Sequence, residues 1–187
     1  MRVWTIQPVE VLEQLEAEEV LYADLAYIPE EFRHAYDWMR AQMKRRILGY
    51  RGHYPWWGWH SPRPDLRRSG HLPRGTQGVC LELELDPHEV LLSDFDVWHV
   101  VLNRGYLALG EDEEEEWYQR LEAAVPDSRI RPLPEPWWSD MLSSWERIFD
   151  LEALAASEYW RGERYIQATF EVLRLADVRK CKPFVAR

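Results

Sequence analysis

A chain of 187 residues is long enough to bury a core of its own, and 46% hydrophobic with 30% charged residues excludes the compositions typical of disordered chains. A formal charge of −10 excludes the basic balance with which non-specific nucleic-acid binders neutralise phosphates, so binding of that kind is not expected. No apolar run approaches the roughly 20 residues that cross a bilayer, and Gln7 and Pro8 interrupt the N-terminus before a signal-like stretch develops, so the expectation is a cytoplasmic protein without membrane contact.

Composition does not break along the chain, which predicts one domain over 1–187. Val3 to Ile6 reads as a short strand, and Pro8 opens a helix to about Glu19 with Val11, Leu12 and Leu15 on one face. From Pro29 to about Leu48, Phe32, Tyr36, Met39, Met43 and Ile47 recur at the spacing of a buried helical stripe. Gly49 ends it. The stretch to Gly78 holds six glycines and four prolines, so only Tyr54 to His60 is expected to be extended.

Val79 to Leu85 alternates aliphatic residues with Cys80, Glu82 and Glu84, the pattern of a strand with one buried face. Cys80 and Cys181 belong to no C-x-x-C pair and read as inert core thiols. After a turn at Asp86–Glu89 and a short apolar strand, Ser93 or Asp94 caps a helix carrying Phe95, Val97, Trp98 and Val101. Another helix spans Asp112 to Ala124, its glutamate run placed in the first turns where the helix dipole favours carboxylates. Past the prolines at 126, 132, 134 and 136 a tryptophan-rich helix runs from Ser139 to about Phe149. Tyr165 to Leu175 is a strand, and Pro183 to Val185 a final short one. The fold class expected is α+β, a mixed, mostly antiparallel sheet flanked by helices.

Three groups of residues carry possible chemistry. Tyr54, Trp57 and Trp59, with Trp56 on the opposite side of the strand, form an aromatic wall for a planar ring, and Arg63 and Arg67 follow to grip phosphate or carboxylate. The competing reading is a tryptophan-rich core beside an arginine loop paired with local carboxylates. Asp94, Asp96 and His99 form a polar series that needs a further ligand before it holds a metal, so no metal site is assigned; converging, they would serve a metal-dependent hydrolase. Trp137, Trp138 and Trp145 would serve a protein-interaction module if exposed together. Glycine-rich nucleotide loops and a nucleophile elbow are absent.

The segments Val3–Gln7, Ala35–Met39, Tyr54–Trp59, Leu92–His99 and Ile166–Phe170 resemble the bacterial domain-of-unknown-function family 3841 over nearly the whole chain. A remote similarity also links the order of elements to ADP-ribosyltransferase-like enzymes, with Trp4-Thr5 on a first strand, Tyr54 to Trp59 on a second and Gln167-Ala168-Thr169-Phe170 on a late one. That similarity implies NAD as cofactor or substrate, and combined with the aromatic and arginine reading it gives a ligand site of Thr5, Tyr54, Trp57, Trp59, Arg63 and Arg67. The chain departs from the pattern where a histidine and a catalytic glutamate belong: the glutamate position falls on Thr169, leaving Gln167, Thr169 and Glu171 as candidates. The resemblance therefore implies a nucleotide- or NAD-binding domain, uncharacterised in activity and either catalytic or degenerate.

Overall fold

Two antiparallel strand pairings join strands of the first half of the chain. The computed structural model describes residues 1–187, and the framework divides into two compact units, one of 1–92 with 165–187 and one of 93–164. In the first unit β1 (Arg2–Pro8) leads into α1 (Val9–Glu18), then β2 (Val20–Tyr22), α2 (Arg33–Arg46), β3 (Trp56–Ser61), β4 (Gln77–Glu84) and β5 (Val90–Asp94), whose last two residues begin the second unit. The chain returns through β6 (Ile166–Phe170), β7 (Val172–Arg174) and β8 (Val178–Val185). A six-stranded sheet has the order β5-β6-β3-β1-β4-β8, and β2 and β7 form a second sheet of two strands. The ladders joining β6-β3-β1-β4-β8, and that of β2-β7, are antiparallel, so the fold is α+β as expected.

The two faces of the large sheet differ in chemistry. On one, Val3, Val79, Leu81, Leu83, Ala168 and Phe170 pack with Leu15 of α1, Leu21 of β2 and Leu173 of β7. Only glycine fits at position 58 in β3, because a Cβ there would stand 2.4 Å from a Val3 methyl on that face. Trp56 faces the same core, while Trp57 and Trp59 face the other side, as the alternation predicts. On that other side α2 lies against the sheet, with Tyr36 edge-on to Trp57 and the Thr169 hydroxyl over the Met39 sulfur. The stripe read from sequence is the buried one: Met39 and Met43 are fully buried and Ile47 nearly so, with Ala35 added.

Three expectations are corrected. β4 is buried on both faces, Cys80 and Glu82 included, because it runs between β1 and β8 rather than along an exposed edge. The single strand expected over Tyr165–Leu175 is two, broken at Glu171, so that β6 joins the large sheet and β7 the small one. Cys181 is exposed, whereas burial pushes the Cys80 thiol up to about 11.

The second unit is helical. Asp94 caps α3 (Phe95–Leu102) through the Val97 N–H, and α4 (Glu111–Ala124), α5 (Trp137–Ser144) and α6 (Leu151–Ala156) follow, with a 3-10 turn over Trp145–Phe149. Its core holds Trp117, Leu121, Met141, Trp145, Ile148 and Leu154. Tyr106 stacks flat on Trp117 at 4.5 Å, and the Trp145 and Trp160 indoles donate to the carbonyls of Gly105 and Ala108. No helix is long and apolar enough to cross a membrane.

Candidate functional site

One row of side chains crosses the sheet on the α2 side. Gln167 of β6 stands opposite Trp59 of β3, Trp59 opposite Trp4 of β1, Trp4 opposite Glu82 of β4 and Glu82 opposite Lys180 of β8. Residues directly opposite share a face, and at about 4.8 Å per strand the row spans roughly 19 Å. Its ends are polar and its middle is two indoles. Gln167 and Glu82 are buried, whereas Trp4 and Trp59 are only half-buried. The Trp4 indole N–H donates to Glu82 Oε2 at 3.3 Å, and Glu82 also faces Arg2 at 3.5 Å and Lys180 at 3.7 Å.

Arginines of the loop after β3 lie over this row. The Arg63 guanidinium sits 5.9 Å from the centre of the Trp4 ring, within cation–π range, and Arg68 donates to the hydroxyl of Tyr165, whose ring is edge-on to Trp59. Towards β8 the same face carries Lys182, opposite Cys80, and Phe184, opposite Gly78. Lys182 and Phe184 join Arg67, Arg74 and Arg187 around an open groove of about 870 Å³. In a protein of charge −10 this is a strong local concentration of cations.

The sequence-predicted residues separate into several places. Trp57, Trp59, Gln167 and Thr169 share the α2 face, since Trp57 opposes Thr169 as Trp59 opposes Gln167. Thr5 does not join them: it is fully buried on the aliphatic face, donates to the Trp57 carbonyl and accepts from Gln7. Tyr54 packs beside α2, under the Arg40 guanidinium and donating to Asp37. Arg67 grips Asp65 through Nε and Nη2 and holds that exposed carboxyl well below the usual range.

Two of the three catalytic candidates, Thr169 and Glu171, are committed elsewhere. Thr169 is fully buried and donates to the Leu91 carbonyl. Glu171, placed where β6 breaks, accepts the backbone N–H groups of Arg51 and His53 at 2.9–3.0 Å and contacts the His53 ring at 2.9 Å. Burial raises its pKa, but the His53 and Arg51 amides, the His53 ring and the Gly52 amide outweigh that and hold it below its ordinary value. The carboxylate closes the 51–53 loop.

The alternative sites are likewise absorbed by structure. Asp94 caps α3 and pairs with Arg164 at 2.9 Å, His99 Nδ1 lies 3.0 Å from the Phe95 carbonyl, and no three His, Cys, Asp or Glu side chains converge to hold a metal. Trp145 is fully buried, and Trp137 and Trp138 are half-buried with their rings edge-on to Trp117 and Trp145, which corrects the expectation of an exposed tryptophan surface.

Sequence reasoning did not name Trp4, Glu82, Tyr165 and Lys182 among the candidate site residues, although the structure places them in the row or beside it. The signal available for Glu82 was an acid inside an aliphatic strand. For Trp4 it was the alternation that puts it on the opposite face from Val3 and Thr5.

No curated protein and no solved structure gives a significant match to this chain. Residues 2–178 match the family described as a domain of unknown function, DUF3841, a span that takes in β1 to β7 and the helical unit and ends at the first residue of β8. The chain belongs to the DUF3841 family.

Proposed function

We propose that the indole row binds a nucleotide, with the base stacked against Trp4 and Trp59 and its phosphates on Arg63 and the neighbouring basic groove. The observation that carries this reading is the row itself. Two half-buried indoles in the middle of a sheet, flanked by a buried amide and a buried carboxylate, offer a stacking surface with hydrogen-bonding groups at its ends. Arg63 adds a guanidinium beside the stacking surface, and Lys182 and Arg74 extend positive charge along the same side.

NAD and ADP-ribose fit this description as well as simple nucleotides do, because each couples a planar ring to phosphates. The placement of Thr169 and Glu171 favours binding without transfer chemistry: one is sealed in the sheet and the other is saturated by loop amides. The test is a thermal-shift and calorimetric screen of the purified protein against ADP, ATP, NAD and ADP-ribose. Ligand at about 100 times its dissociation constant adds roughly 2.7 kcal/mol to folded-state stability. A response that disappears in Trp59→Ala and Arg63→Ala supports the site. A response unchanged in both, or none from any of the four compounds, removes it.

A further inference from the structure

A second cavity lies in the first unit, away from the indole row. It encloses about 330 Å³ between β2, the loop after α2 and the β6–β7 junction, near the lower size of small-molecule sites. Its walls include Ile47, Leu85 and Phe170, and its rim carries Val20, Tyr22 and Leu48. These three rim residues belong to the eight large apolar side chains that the protein exposes; Leu48 is 94% exposed, and Tyr22 is stacked on His53 at 4.0 Å. Scattered exposed apolar residues need no explanation, but three bordering one cavity make an apolar mouth.

The charges in the cavity wall resolve almost completely. Glu171 is saturated by the amides and ring of the 51–53 loop. Arg174 is held by both carboxylate oxygens of Glu89, at 2.8 and 3.2 Å, and by Asp177 at 3.4 Å. Arg51 is the exception: its backbone N–H holds Glu171, while its exposed guanidinium has no carboxylate partner. The cavity is therefore an apolar recess with one uncommitted cation at its wall.

We infer that this cavity binds an amphiphilic monocarboxylate, its head paired with Arg51 and its apolar body lying between Tyr22, Leu48 and Phe170. A single cation fits a single negative charge, and a bidentate arginine–carboxylate pair is the geometry that a guanidinium favours. A neutral amphiphile of the same shape leaves Arg51 unused, and a small anion leaves the apolar mouth uncovered.

The test titrates the full chain with octanoate, octanamide and acetate by calorimetry, using the wild type and the Arg51→Ala, Arg51→Lys, Leu48→Ser and Trp59→Ala variants. Saturable one-site binding of octanoate is expected, weakened at least about tenfold by Arg51→Ala, partly restored by Arg51→Lys, and reduced by Leu48→Ser. Octanamide and acetate bind at least tenfold more weakly. Alanine keeps the backbone N–H that holds Glu171, and Leu48→Ser changes a side chain that packs on nothing, so the fold survives in at least one informative variant. Absence of saturable octanoate binding, equal binding of octanamide, or wild-type affinity in both Arg51→Ala and Leu48→Ser overturns the inference. Trp59→Ala keeps octanoate binding and loses nucleotide binding, so the two sites fail separately.

Discussion

Tryptophan does different work in the two units. In the helical unit Trp117 and Trp145 are sealed in the core, the Trp145 and Trp160 indole N–H groups are answered by backbone carbonyls, and the aromatic rings pack on one another. On the sheet, Trp4 and Trp59 remain half-open, flanked in their row by a buried amide and a buried carboxylate. The same side chain is mortar in one region and surface in the other. Tryptophan content alone says nothing about function; the neighbours across the strand or helix decide it.

Truncation gives the sharpest contrast. Trp145→Ala is expected to cost about 3–5 kcal/mol, because it opens a cavity and leaves the Gly105 carbonyl without its donor. Trp59→Ala, on a half-exposed ring, is expected to cost about 1 kcal/mol. Chemical denaturation of the two variants measures both, and equal losses would place Trp59 in the core and break the comparison. Between these lies Gly58→Ala, which tests the closed face of the same sheet. The added methyl meets Val3 at 2.4 Å and the Trp4 carbonyl at 3.1 Å, so a loss of about 1–3 kcal/mol is expected, and a stability unchanged from wild type would show that β1 and β3 yield easily there.

A smaller effect is expected from acid. Each unit holds a part-buried carboxylate below its ordinary pKa against burial: Glu171 by the 51–53 loop, Glu113 by the Leu109 amide, Arg147 and Tyr106. A carboxylate with a depressed folded-state pKa contributes stability above its ordinary value, and that contribution is lost as pH falls through the depressed one. Melting temperature should therefore drop as pH is lowered through and below about 4.5, the ordinary glutamate value. In Glu171→Gln the drop should be shallower. Wild-type steepness in that variant would show that the loop is held by other contacts.

Much of the fold was legible because local patterns report local structure. The stripe Met39–Met43–Ile47 is buried as its spacing requires, Asp94 caps the helix that follows it, and the alternation in Trp56–Trp59 sends Trp56 to the core and Trp57 and Trp59 to the opposite face. The short β2 and the break at Glu171 were not legible, since a three-residue strand has no periodicity of its own and Ile166–Arg174 reads as one β-branched run. The division into two units leaves no mark in an even composition.

The candidate site was legible in half. Trp59 and Arg63 were named from residue type and spacing and Gln167 from the resemblance to ADP-ribosyltransferase-like enzymes, and they fall on one side of the sheet or over it. Thr5 and Glu171 were named too, but the side a strand residue faces depends on its partners, and a carboxylate's role depends on which amides reach it.

From its sequence alone, this protein was determined as an acidic α+β chain of the DUF3841 family whose aromatic and arginine segments stand close together along the chain. Tertiary structure decided the register that lines Gln167, Trp59, Trp4, Glu82 and Lys180 across five strands. That row joins residues up to 176 positions apart, from Trp4 to Lys180, and cross-strand register is fixed by pairing and by which face is buried, quantities that no local window of sequence contains.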